Sequence, residues 1–108
     1  MSKRTEQVAE LLRSNINQII VKDFEAPKGT LISVSEVTVS PDLKNATCLV
    51  SVIPNNKIGS ALEAIKKFAG HAQRELSKRM AIRATPRIKF ALDERDLKYK
   101  AIDDALSE

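Results

Sequence analysis

A long helical pattern lies between stretches of strand character, and it restricts the fold more than any other feature. From about Lys57 to Met80, Ile58, Ala61, Leu62, Ile65, Ala69, Ala72, Leu76 and Met80 recur on one helical face. Ahead of it, "TLISVSEVTVS" and "ATCLVSVI" are β-branched and alternating. Behind it, "TPRIKFALD" alternates as Ile88, Phe90 and Leu92. A helix between strands is a crossover, so the third strand returns to the sheet made by the first two.

The other elements follow from periodicity and punctuation. Val8, Leu11, Leu12, Ile16, Ile19 and Ile20 predict a helix from about Thr5 to Val21, which Ser2 or Thr5 can cap. Pro27 and Gly29 end it. In the first strand the inward phase passes from Ile32 and Val34 to Val37 and Val39. That slip near Ser35–Glu36 predicts a β-bulge. "SPDLKNA" is short enough to make the first two strands an antiparallel hairpin. Ala46, Cys48, Val50 and Val52 share one side of the second strand, with Leu49 and Ile53 on the other. Asn55, Asn56 or Ser60 can cap the long helix, and Pro86 stands at the start of the last strand, where a missing donor is tolerated. The expected fold is α+β, a three-stranded mixed sheet with helices on one face.

At 108 residues the chain has room for one core. Residues 1–108 are read as a single domain, with 1–4 as a flexible basic arm and 94–108 as a short charged tail. No apolar run reaches the ~20 residues of a membrane span, and no leader pattern opens the chain. A lone Cys48 leaves no internal disulfide to form. A cytoplasmic protein, monomeric when free, is expected.

Net charge is only +4, but its distribution is uneven. Between Lys66 and Lys89 there are eight cations and one acid, Glu75, for a net +7; the rest of the chain carries −3. Such a concentration points to a polyanion. On a continuous helix Lys67, His71, Arg74 and Lys78 form one stripe opposite Ile65, Ala69, Ala72 and Leu76. Arg83, Arg87 and Lys89 extend the patch toward the last strand, and Lys3 and Arg4 add a basic arm. Arg79 points nearer the apolar side and is expected to snorkel or pair internally. Five or six phosphate contacts would weaken binding on the order of a hundredfold to a thousandfold over a fourfold rise in salt. Scarce aromatics exclude a base-stacking strand, leaving recognition of backbone and shape.

Gly70 interrupts the helical pattern at a cost of about 1 kcal/mol relative to alanine. Two readings stand: close packing of a neighbouring element, or a kink that frees N–H groups for an anion.

Two other classes of function compete with polyanion binding. An enzyme would draw on Cys48, His71, Asp42 or Asp93. No paired-carboxylate, metal-ligand or phosphate-loop spacing accompanies them, so neither catalysis, metal nor cofactor is expected. A protein–protein interaction module would associate without RNA and tolerate salt.

The element order resembles a KH-like domain of type II, helix–strand–strand–helix–kink–helix–strand. Its usual GxxG grip is missing, because no two of Gly29, Gly59 and Gly70 are three apart. The stretches "VTVSPDLKNATCLVSV" and "LSKRMAIRATPRIKFALD" resemble the bacterial ribosome-binding factor A family. Arg83, Pro86, Phe90 and Asp93 keep that family's Arg–Pro–Phe–Asp spacing. "KKFAGHAQREL" aligns with its helix–kink–helix, and Phe68, Ala69 and Gly70 fall at the kink. The glycine matches, and Phe68 replaces the family's leading alanine. The resemblance implies a non-enzymatic assembly factor with no cofactor. It would bind the immature 30S small ribosomal subunit and help 16S rRNA mature near its 5′ end and the decoding region, with a role in growth in the cold. The RNA contacts expected from the distribution of charge are Lys67, His71, Arg74, Lys78, Arg83, Arg87, Lys89, Lys3 and Arg4.

Overall fold

The structure is a computed structural model and describes residues 3–53, 55–80 and 85–94. Its order is α1 (Lys3–Asp23), β1 (Leu31–Val39), β2 (Asn45–Ile53), a 3-10 turn (Asn55–Lys57), α2 (Ile58–Arg79) and β3 (Arg87–Leu92). The α+β expectation holds: β1 and β2 are antiparallel, β2 and β3 are parallel, and β2 lies in the centre.

α1 buries Leu12, Ile16, Ile19 and Ile20 of the expected apolar stripe, whereas Leu11 is 49% exposed. It ends where Phe24 N–H donates to Ile20 O, and a turn closed by Thr30 N–H to Pro27 O follows. Gly29 has φ +76° at the third position of that turn, a conformation that a side chain disfavours. The β1–β2 connection is held by Asp42, whose carboxylate accepts from Ser40 Oγ and from Lys44 N–H at 3.0 Å. Leu43 there has φ 62°. Its side chain packs against the core, which offsets the strain of the left-handed conformation.

The bulge is present. Val34 pairs with Val50 and Glu36 with Leu49, leaving Ser35 as the extra residue. Ser35 uses that freedom to donate from Oγ to the Asp93 carboxylate at 2.7 Å, just past β3. Val34, Val37, Val39, Ala46, Cys48, Val50, Ile88 and Phe90 point to one side and form the core with α1 and α2, and Val52 is buried on the same side. Among the described residues no element covers the other sheet face. Leu31 and Ile53 are register partners there, 72% and 63% exposed.

Each outer strand is clamped by an amide from a helix. Asn17 of α1 donates to Val34 O at 3.1 Å and accepts from Val34 N–H at 2.8 Å. Gln73 of α2 donates to Pro86 O at 3.0 Å and accepts from Ile88 N–H at 2.8 Å. These side chains stand where a further strand would pair, which blunts both edges.

Three expectations are corrected. α2 is one continuous helix through Phe68, Ala69 and Gly70, so the kink is absent as a break in the helix. Its first turn has no side-chain cap: Lys57 occupies the N-cap and Ser60 lies inside the helix. Lys3 and Arg4 form the first turn of α1 rather than an arm. The tail from 95 onward lies outside the described residues.

Candidate nucleic-acid interface

With 3.6 residues per turn, α2 sorts its side chains into three directions. Ile65, Ala72 and Leu76 face the sheet and are fully buried. Lys67, Arg74 and Lys78 face solvent. Phe68, His71, Glu75 and Arg79 turn toward α1, while Gln73 turns toward β3.

The solvent stripe is more compensated than its local sequence implies. Lys67 Nζ lies 3.5 Å from Glu63, one turn back, and Lys78 Nζ lies 3.6 Å from Glu75. Both lysine side chains are more than 70% exposed. Exposed pairs of this kind contribute about 0.3–0.5 kcal/mol and give way readily to a phosphate. Arg74 has no acidic partner among the described residues. Its guanidinium lies back over Gly70, where an added Cβ would meet Nη1 at 3.8 Å. Gly70 therefore accommodates neither a kink nor a close-packed neighbour. It underlies the extended arm of Arg74.

His71 is engaged elsewhere. Its Nε2 is 2.9 Å from Asp23 Oδ2, at the end of α1. The hydrogen bond to His71 holds the Asp23 carboxyl below its usual range. The imidazole also lies 5.1 Å from the Phe68 ring, which meets Phe24 edge-on at 5.0 Å. Phe68 thus fills the seam between the helices. Arg79 pairs internally as expected, donating to Gln18 Oε1 at 3.1 Å.

Arg87 and Lys89 do not extend the stripe. They alternate with buried Ile88 and Phe90, so they project from the open sheet face, opposite the helices. Lys3 sits about 22 Å along α1 from Gln18, where Arg79 docks. Arg83 lies outside the described residues.

The four groups weighed for catalysis are held in structural roles. Cys48 is wholly buried, and burial pushes its thiol up to about 12. Asp42 ties the hairpin, Asp93 is bound by Ser35, and His71 faces Asp23. Among the described residues no helix is long and apolar enough to cross a membrane.

Comparison with known proteins places this geometry. The family model for ribosome-binding factor A matches residues 4–106. A ribosome-binding factor A of Akkermansia muciniphila is 40% identical over 94 residues, covering 87% of this chain and 74% of that protein. The Acetivibrio thermocellus protein of the same name is 37% identical over 93 residues, covering 84% and 76%. The crystal structure of ribosome-binding factor A from Thermus thermophilus superposes with a TM-score of 0.70 at 19% identity, over 82% of this chain and 94% of that one. A homology model of the Thermus thermophilus factor, as fitted into the cryo-EM map of its 30S complex, gives 0.67 at 21% identity, over 80% and 91%. With the family model matched from Arg4 onward, this chain belongs to the ribosome-binding factor A family, a family of ribosome-binding factors and not of enzymes.

Proposed function

We infer that this chain is a cytoplasmic assembly factor that binds the immature 30S subunit through the solvent face of α2. Its KH-like scaffold would dispense with the glycine-rich nucleotide grip. A relative of the same fold has been placed on a 30S subunit. The observation that carries the site is the row Lys67, Arg74 and Lys78, at spacings of seven and four on one exposed helix face, with Arg74 free of any acid among the described residues. A binder of this kind acts by preferring one arrangement of 16S rRNA over another, here near the 5′ end and the decoding region. Such a preference matters most in the cold, where misfolded RNA helices escape slowly.

Three phosphate contacts predict a loss of about 20- to 40-fold in affinity over a fourfold rise in salt. The test is sedimentation with precursor small subunits. Reversal of Arg74 and Lys78 to Glu should remove the factor from the 30S peak while its circular dichroism stays unchanged. Normal co-sedimentation of that variant would refute the assignment.

A further inference from the structure

Within the seam between the helices, three metal-ligating groups converge. Asp23 is the last residue of α1, and His71 and Glu75 stand one turn apart on the same face of α2. One ligand atom from each lies within 4.8 Å of the other two. We propose that Asp23, His71 and Glu75 bind a single divalent transition-metal ion of the zinc class, fastening the end of α1 to the middle of α2.

The donor set selects the metal. One imidazole nitrogen with two carboxylates suits zinc, cobalt or nickel, whereas magnesium and calcium favour all-oxygen shells. Ligands about 2.0–2.2 Å from a tetrahedral ion stand about 3.3 Å apart. His71 Nε2 and Asp23 Oδ2 are already 2.9 Å apart. Glu75 has only to swing inward by about 1.5 Å or less, leaving its weak pairing with Lys78. The imidazole is preset: Phe68 lies against its ring, and its Nε2 edge faces Asp23. To bind metal, the neutral ring presents Nε2 as a lone pair and carries its proton on Nδ1. Three protein ligands leave a fourth position to water.

The surroundings set the strength. Lys22 and Arg79 act on Asp23, and Lys78 on Glu75, so the ion enters a basic neighbourhood. The site is accordingly weaker than a thiolate-based structural zinc site, and it does not draw on buried Cys48.

The test uses the full untagged chain, without ribosomes, so its outcome is independent of 30S binding. Zinc is titrated by calorimetry and cobalt by visible absorption. One ion per chain is expected, with a rise in melting temperature on adding zinc. Glu75→Gln and Asp23→Asn, which keep side-chain size, should each weaken zinc binding by at least about tenfold. The Glu75 variant separates a three-ligand site from the His71–Asp23 pair alone. Absence of saturable binding, or equal binding by Glu75→Gln and the parent chain, overturns the proposal.

Discussion

Asn17 and Gln73 each donate one hydrogen bond to, and accept one from, the backbone at an outer strand. Removing such a side chain strands a donor and an acceptor in a partly buried setting, at about 1–3 kcal/mol. Asn17→Ala should therefore lower the free energy of unfolding by that amount, read as a reduced urea midpoint at an unchanged m value, and Gln73→Ala should do likewise. Both variants should also self-associate more readily, since each bares an edge. Cys48 makes a different prediction. Its thiol is pushed by burial from 9.0 up to about 12. Below pH 9 neither folded nor unfolded chain ionises it, and its contribution to stability is complete. As pH rises from about 9 toward 12 the unfolded chain loses the proton first, so stability falls. Melting curves should show this decline, and Cys48→Ala should show a smaller one. At pH 8 the native thiol should resist a disulfide reagent until urea is added.

Gly70 shows how an element overrides a local preference. Its helix penalty is about 1 kcal/mol, small beside the burial of Ile65, Ala72 and Leu76 on either side. The helix stays whole, and a methyl group at Gly70 would only touch the flexible end of Arg74. Gly70→Ala should raise stability by about 1 kcal/mol, and the melting temperature on the order of 5 °C. Thermal unfolding followed by circular dichroism checks it, and a destabilised variant would restore the idea of a bend. The strands show the opposite case. Their alternation, and even the phase slip at Ser35, were legible because a strand writes its inward face into every second residue. What Ser35 does with the bulge was not legible, since Asp93 arrives from β3. The helix partners stayed hidden for the same reason. Asn17, Gln73 and the Asp23–His71 pair depend on how each helix docks, and local spacing carries no record of that.

Viewed as one body, the chain carries basic groups on both sides of a thin layered molecule, with extents of 52 × 31 × 16 Å. Along the sequence Lys67, Arg74 and Lys78 share one basic segment with Arg87 and Lys89, and a segment total takes no account of which way a strand turns its side chains. In the fold the first group lies on the solvent face of α2 and the second on the open sheet face. A single rRNA surface can meet both only by passing round the β3 edge. If α2 alone makes the contact, reversing Arg74 and Lys78 removes two phosphate interactions. The slope of log affinity against log salt should then lose about 1.4–1.8 units. Arg87→Glu with Lys89→Glu introduces the same change in net charge, yet should leave that slope unaltered and weaken binding only through the general field. The two double variants thus control for each other in one titration with precursor subunits. Equal slopes would show that the RNA wraps the edge, and that the open face of the sheet belongs to the interface.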